Sequence, residues 1–330
     1  MKKILLLAPE YGLEKGGIQT WAYYIDKLFR KNGHNIKSFG VNDMNILKYF
    51  EVVKLNFKSD LFILMTWKMI IVLLPILFFT NKKIFIFIHG NDILNLPAYQ
   101  MKIFNFLLKK DNILFVSNSE AIADIFKSIF NKKVNYVIAP FIDTDFSTNE
   151  SIIENQFFTI TRLVKRKNIV NVIFALKELD KKIDFKYYIA GEGEEKENLK
   201  SLVLKLKLSN KIIFLGRITE EEKNKYLATS SLFLLPSILD EKSGSVEGYG
   251  IVYIEANTFG LPVISGNTGG MIEAVIDGVT GLHTDGSTND IINAFDRYER
   301  IKFNKVKIKQ FAKKHDYRYQ NDFVKYIIGE

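Results

Sequence analysis

The chain of 330 residues has no cysteine, only four histidines and only six prolines. Without cysteine it cannot form a disulfide framework, a thiolate metal site or a cysteine nucleophile, and this composition fits a cytosolic protein. Four histidines leave little for a zinc site. No segment is Pro-rich, Ser-rich or of low complexity, so the composition predicts an ordinary soluble globular protein.

Long uninterrupted apolar runs are also missing. The start, MKKILLLAPE, has only five apolar residues before Pro9 and Glu10, so it predicts a buried first strand rather than an export signal. The stretch 61–79 is longer, but Lys68 and Pro75 interrupt it. It divides into a strand, a helix around 67–79 and a second strand at 84–89, which favours a βαβ unit over a membrane span.

Positive charge is in excess, at a net +9, and the first half carries most of it. Lysine pairs at 82–83, 109–110 and 132–133 stand beside apolar segments. Such a surface is typical of attachment to an anionic membrane face, with a merely solvated lysine-rich surface as the alternative. Nucleic acid is not expected as a partner, because no basic run is interleaved with stacking aromatics.

Strand-length apolar runs alternate with helical patterns along nearly the whole chain, which predicts an α/β protein with parallel sheets covered by helices. The pattern restarts after the polar stretch 143–156. We therefore expect one domain over 1–150 and a second over 151–306. The tail, 307–330, is expected to cross back onto the first domain.

Gly16 and Gly17 stand between the first strand and a helix predicted from about 17 to 31. Two glycines at a helix start let backbone N–H groups approach an anion, most often a phosphate. The Gly-x-Gly-x-x-Gly dinucleotide fingerprint is absent after this strand, which argues against an NAD-dependent oxidoreductase.

The second half opens with the cationic loop TITRLVKRKN at 159–168, which contains Arg162, Lys165, Arg166 and Lys167. The loop follows a predicted strand, and ligands of open α/β sheets bind at the carboxyl ends of strands. Its charge suits a diphosphate. A solvated run of charges is the alternative.

Two glutamates flank the glycines of EGYGIVYIE at 247–255. A helix beginning near Gly250 and ending near Thr258, with Gly260 as its cap, places Glu247 before the helix and Glu255 inside it. The two carboxylates then address different parts of one extended ligand, unlike the paired acid and base of a glycosidase.

The second half closely resembles the donor-binding signature of retaining GT-B glycosyltransferases of family 4, through EGYGIVYIEA, GLPVIS and GNTGGMIEAVIDGVTGL. The similarity extends to most of the chain. It includes GGIQTWA at 16–22, HGND at 89–92, TRLVKRKN at 161–168, AGEGEEKENL at 190–199 and FLGRITEEEK at 214–223. The subgroup it is most similar to contains phosphatidylinositol and O-antigen mannosyltransferases.

The resemblance implies two Rossmann-like domains facing each other across a cleft, an acceptor domain first and a donor domain second. It assigns His89, Glu247, Arg162 and Lys167 to catalysis, with Glu247 on a sugar hydroxyl and Glu255 on the ribose. The donor contacts it implies are Gly16, Gly17, Arg162, Lys167, Gly191, Arg217, Ile218, Glu247, Gly248, Tyr249, Gly250, Ile251 and Glu255.

The resemblance further implies transfer of a hexose from a nucleotide diphosphate sugar, with GDP-mannose favoured, to a lipid-linked saccharide of bacterial surface polysaccharide. We expect no cofactor and no metal, although Asp143-Thr144-Asp145 matches the Asp-x-Asp metal motif of the other glycosyltransferase fold. A UDP-sugar transferase, a nucleotide-sugar epimerase and a non-catalytic partner subunit remain alternatives. The expected location is cytoplasmic, with peripheral attachment to the inner face of the membrane.

Overall fold

The computed structural model describes residues 1–13, 16–42, 44–77, 80–146, 150–240 and 244–330. The chain divides into two compact units. The first comprises Met1–Asp143 and His315–Glu330, and the second comprises Thr144–Lys314. Residues 147–149 of the polar stretch that the sequence analysis used to place a boundary lie outside the described residues.

The first unit contains a parallel six-stranded sheet in the order β2-β1-β3-β4-β5-β6. The predicted strands are confirmed, although the last is reduced to two residues. Their bounds are β1 (Lys3–Ala8), β2 (Asn35–Gly40), β3 (Leu61–Leu64), β4 (Ile84–Ile88), β5 (Ile113–Ser117) and β6 (Tyr136–Val137).

Helices cover this sheet, and the predicted helix over 17–31 is confirmed. The helices are α1 (Gly17–Lys31), α2 (Ile46–Lys58), α3 (Leu74–Leu77), α4 (Ala98–Leu107), α5 (Glu120–Phe130) and α13 (Asn321–Ile328). The helix predicted around 67–79 is instead a 3-10 segment, Trp67–Leu73, followed by the short α3. Pro75 has no backbone N–H to donate, so it is tolerated in the first turn of an α-helix but not in its interior, and α3 begins only at Leu74. Phe78 and Phe79 lie outside the described residues.

The second unit contains another parallel six-stranded sheet, in the order β12-β11-β10-β7-β8-β9. The sequence analysis missed its last strand, which has four residues. The strands are β7 (Gln156–Ile160), β8 (Lys186–Ala190), β9 (Ile212–Gly216), β10 (Leu232–Leu235), β11 (Val263–Gly266) and β12 (Gly281–Thr284). Read from β9, this is the doubly wound order, in which the strand sequence reverses between β7 and β10.

The helices of the second unit follow its strands closely as predicted. They are α6 (Ile169–Leu179), α7 (Lys196–Lys205), α8 (Glu220–Thr229), α9 (Ile251–Thr258), α10 (Met271–Ala274), α11 (Thr288–Arg300) and α12 (Lys305–Lys313). Among the described residues, no helix is long and apolar enough to cross a membrane.

Candidate functional site

A buried ion cluster lies where the strand order of the second unit reverses. The loop after β7 supplies Arg166 and Lys167, and the loop after β10 supplies Glu247. Arg166 Nη1 donates to Glu247 Oε2 over 2.6 Å, and Lys167 Nζ donates to the same oxygen. The reversal point of an open α/β sheet is the place where such sheets bind ligands, so the cluster is a candidate binding site.

The cluster holds Glu247 as a carboxylate and keeps a net positive charge. Burial acts to raise the pKa of Glu247, but Lys167 and Arg166 outweigh it and lower that pKa to about 2. Both basic side chains are almost fully buried. Two cations against one anion leave one positive charge in a poorly hydrated place, which favours a phosphate or diphosphate.

Asn168 fixes the geometry of the cationic loop. It adopts the left-handed conformation at φ 59° and directly precedes α6. Its amide Nδ2 donates to the carbonyls of Pro236, at 3.1 Å, and Gly286, at 2.7 Å. The loops after β7, β10 and β12 are thereby tied together around the cluster.

The glycines near Glu247 permit close backbone packing. Gly250, at φ 90°, directly precedes α9, and a Cβ there would lie 2.3 Å from the Tyr253 ring. A Cβ on Gly270 would lie 1.9 Å from the Gly248 carbonyl, while the Gly270 N–H donates to the Glu247 carbonyl over 3.1 Å. These contacts set the backbone on which Glu247 stands.

Glu255 lies inside α9, as predicted, and forms a second buried pair. Lys223 of α8 donates from Nζ to Glu255 Oε1 over 2.8 Å and lies 2.7 Å from Glu220 Oε2. Burial acts to lower the pKa of Lys223, but Glu255 and Glu220 outweigh it and raise that pKa above its usual range. The predicted ribose-binding carboxylate is therefore held in place by an ammonium group.

Two further predicted cations, Arg162 and Arg217, are exposed at the ends of β7 and β9. Neither forms an ion pair with another described residue. Ile218 follows Arg217 and is half-buried, as is Ile251 at the start of α9. These side chains are accessible to a ligand.

Gly191 has a packing role besides any contact with a ligand. It adopts φ 121°, and a Cβ there would lie 1.8 Å from the carbonyl oxygen of Thr161. The Leu163 N–H donates to the Glu192 carbonyl over 2.9 Å. The loop after β8 thus lies directly against the cationic loop.

Tyr249 is buried, with its hydroxyl 3.5 Å from the Glu273 carbonyl.

The remaining predicted residues belong to the first unit. Gly16, at φ 125°, directly precedes α1, and Gly17 is its first residue; both are exposed. His89 follows β4 and is buried. The first turn of α1 therefore presents backbone N–H groups that have no partner within the helix, whereas His89 lies within a packed polar cluster.

The contacts of His89 define its protonation. Its Nε2 lies 2.7 Å from the Met65 carbonyl, which can only accept, so Nε2 carries the proton. Nδ1 faces the Asn118 amide nitrogen at 3.5 Å. Burial lowers the pKa of the imidazole, although Asp92 acts in the opposite direction. His89 is thus a neutral donor through Nε2.

The Asp-x-Asp segment makes protein contacts. Asp143 Oδ1 lies 3.2 Å from Arg318 Nη2. Within the described parts of the chain, no group of three or more histidines or carboxylates could hold a metal ion. The absence of a metal remains a prediction.

Sequence reasoning missed Lys223 and gave no individual role to Arg166. Both stand in quoted motifs, FLGRITEEEK and TRLVKRKN. Arg166 could have been chosen only by knowing which cations of the loop point inward. Lys223 could have been found from the helical spacing of α8, where it precedes Leu227 by four residues on the buried face.

The architecture and the site define the class. The fold is GT-B: the Anabaena protein Alr3699/HepE, solved with UDP and glucose, superposes with a TM-score of 0.78 and covers all of both chains at 18% identity. The model of the family "Glycosyl transferases group 1" matches residues 143–315, just over half of the chain. The chain belongs to this family and is similar to family 4 of the GT-B enzymes.

Curated relatives match a part of the chain. A GDP-mannose-dependent alpha-(1-6)-phosphatidylinositol monomannoside mannosyltransferase of Mycolicibacterium smegmatis is 37% identical over 134 residues, 40% of this chain and 35% of that protein. A GDP-mannose-dependent monoacylated alpha-(1-6)-phosphatidylinositol monomannoside mannosyltransferase of Corynebacterium glutamicum is 35% identical over 131 residues, 39% of this chain and 34% of that protein. The match spans about a third of the length of these relatives.

Proposed function

We propose that the chain is a glycosyltransferase that moves a hexose from a nucleotide diphosphate sugar to a hydroxyl group, with retention of the anomeric configuration. The observation that carries this proposal is the net positive cluster of Arg166, Lys167 and Glu247 at the reversal point of the second sheet. The family match over the same unit supports it.

The site residues take these roles in the proposal. Arg162, which is exposed, and Lys167, which is buried, neutralise the diphosphate, with Arg166 beside Lys167. Glu247 uses one oxygen for these cations, and its Oε1 makes no hydrogen bond to another described residue. That oxygen accepts from a donor-sugar hydroxyl, while Glu255 accepts from the ribose.

The reaction breaks the bond between the anomeric carbon and the diphosphate oxygen and forms a bond from that carbon to the acceptor oxygen. The acceptor proton moves to the departing phosphate. Negative charge grows on the diphosphate during this step, so fixed cations stabilise the transition state more than the ground state. His89, whose Nε2 proton is donated to the Met65 carbonyl, is assigned to the neighbourhood of the reacting carbon as a neutral side chain.

GDP-mannose is the first donor to test, because several relatives are named as GDP-mannose-dependent mannosyltransferases. A UDP sugar is the alternative, supported by the UDP and glucose in the Anabaena structure. For the acceptor we propose a lipid-linked saccharide of surface-polysaccharide synthesis at the cytoplasmic membrane face, since the relatives act on glycosylated phosphatidylinositol by name. No metal is required in this proposal.

The test is thermal stabilisation of the purified protein by GDP, UDP and their hexose derivatives in the presence of a chelator, followed by transfer to membrane lipids. A ligand that binds only the folded state raises the melting temperature. A shift with GDP-mannose supports the favoured donor, and a shift with UDP sugars alone replaces it. No shift with any nucleotide would overturn the donor site and favour a non-catalytic subunit, whereas sugar conversion without an acceptor would indicate an epimerase.

A further inference from the structure

One helical layer of the first unit exposes large apolar side chains on three successive elements. These elements are α2, the segment 67–77 and α4, and we call them the apolar layer. Leu47 is 76% exposed, Phe57 65%, Ile71 62% and Tyr99 64%. Helices of globular proteins ordinarily turn such residues inward, so a contiguous exposed set marks an interaction surface.

The three elements form one continuous surface. The Asn56 side chain of α2 donates to the Val72 carbonyl over 3.1 Å. The Trp67 ring packs against Phe104 of α4 at 5.6 Å between centroids. A groove of about 460 Å³ runs between α2 and the 67–77 segment, and Ile46, Tyr49 and Ile71 are among its lining residues.

The exposure is confined to one side of the sheet. The strand register pairs Ile86 with Phe115, so Phe87 and Phe115 point to opposite faces. Phe115 packs against Phe104 of α4, while Phe87 packs against α1 and α13. Helices α1 and α13, all of whose residues are described, expose no large hydrophobic side chain.

Charge on the apolar layer has one dominant sign. Its exposed charged residues are five lysines and one glutamate, namely Lys48, Lys54, Lys58, Lys68, Lys102 and Glu51. None of the five lysines forms an ion pair with another described residue. Lys82 adds a further cation at the end of α2, where its Nζ donates to the Phe57 carbonyl over 3.0 Å.

We infer that the apolar layer docks on an anionic lipid bilayer, with Leu47, Phe50 and Phe57 entering the headgroup boundary and the lysines contacting lipid phosphates. Helices that lie in a membrane interface expose leucine and phenylalanine beside lysine, without a compensating acidic face, and the apolar layer has this pattern. The inference rests on the proposed function in one respect: a lipid-borne acceptor requires the enzyme at the membrane surface.

The experiment is co-sedimentation of the full chain with vesicles of phosphatidylcholine alone or mixed with phosphatidylglycerol. We expect binding to the mixed vesicles that weakens with salt, because exposed charges are screened. Leu47→Ser/Phe57→Ser should weaken it by about tenfold or more through the lost apolar contact. The matched control is Leu204→Ser/Val306→Ser, which removes two side chains of similar exposure from the second unit and should bind as the native chain does.

Absence of binding to the mixed vesicles, or equal loss in both variants, would overturn the inference. So would self-association in sedimentation velocity that the Leu47→Ser/Phe57→Ser variant abolishes, because a second copy would then cover the layer. Nucleotide-induced thermal shifts, measured on the same variants, separate the two proposals. A retained shift without vesicle binding rejects docking alone, and vesicle binding without any shift rejects the donor site alone.

Discussion

Lys223 of α8 places its ammonium 2.8 Å from the Glu255 carboxylate of α9, with Glu220 on its other side. This pair joins the two helices at Glu255, the proposed ribose-binding group. The side chain of Lys223 is only 9% exposed, so its charge depends on the two carboxylates. We expect Lys223 to position Glu255 rather than to contact the ligand.

Lys223→Met should therefore lower the free energy of unfolding by about 2 kcal/mol and weaken nucleotide binding, because Glu255 loses its buried partner. Chemical denaturation and nucleotide titration measure the two effects. Lys225→Met, on the exposed face of the same helix, is the control and should change neither. Unchanged nucleotide affinity in Lys223→Met would reject the positioning role.

Glu247→Gln should slow transfer by about 10- to 100-fold, since a hydrogen bond from a sugar hydroxyl to a charged acceptor is lost. The nucleoside diphosphate alone should bind no more weakly than before, because Arg166 and Lys167 lose a competing anion. Lys167→Met should instead have its main effect on the affinity for the nucleoside diphosphate, which it should weaken. Parallel measurements of rate and of nucleotide affinity distinguish the two, and equal effects from both variants would reject the assigned roles.

The lowered pKa of Glu247 predicts a pH dependence of stability. A carboxyl with a pKa of about 2 when folded, and an ordinary value when unfolded, stabilises the native state above pH 4.5 by about 3 kcal/mol. This contribution is lost as pH falls from 4.5 towards 2. The melting temperatures of the native chain and of Glu247→Gln should thus differ at pH 6, differ less at pH 3 and converge near pH 2. A constant difference over that range would contradict the ion cluster.

Gly191→Ala should destabilise the second unit by about 3 kcal/mol, through backbone strain and a clash with the Thr161 carbonyl. Gly12→Ala is the matched control, because Gly12 has a similar φ of 135° but no atom of a described residue within 4 Å of the added Cβ. It should cost only the strain, about 1 kcal/mol. Equal losses, measured by thermal unfolding, would mean that packing against the cationic loop is unimportant.

Local sequence pattern was sufficient for most elements. The apolar runs predicted both parallel sheets. Helical spacing of apolar residues predicted α1 (Gly17–Lys31), and the glycines at 250 and 260 predicted the bounds of α9 (Ile251–Thr258). The β12 strand was missed because four residues carry too little periodicity. The prediction of a helix around 67–79 was wrong about the type of helix, since apolar character alone does not distinguish a 3-10 turn from an α-helix.

The sequence by itself determined the α/β class, the family motifs and the charge of the loop at 159–168, because each depends on residues adjacent in the chain. Only the tertiary structure decided which cations face Glu247 and that Lys223 supports Glu255, because these contacts join residues 80 and 32 positions apart. Folding likewise decided that Leu47, Phe57 and Ile71 point outward. Helical spacing specifies which residues share a face, but packing of the whole unit decides which face is covered.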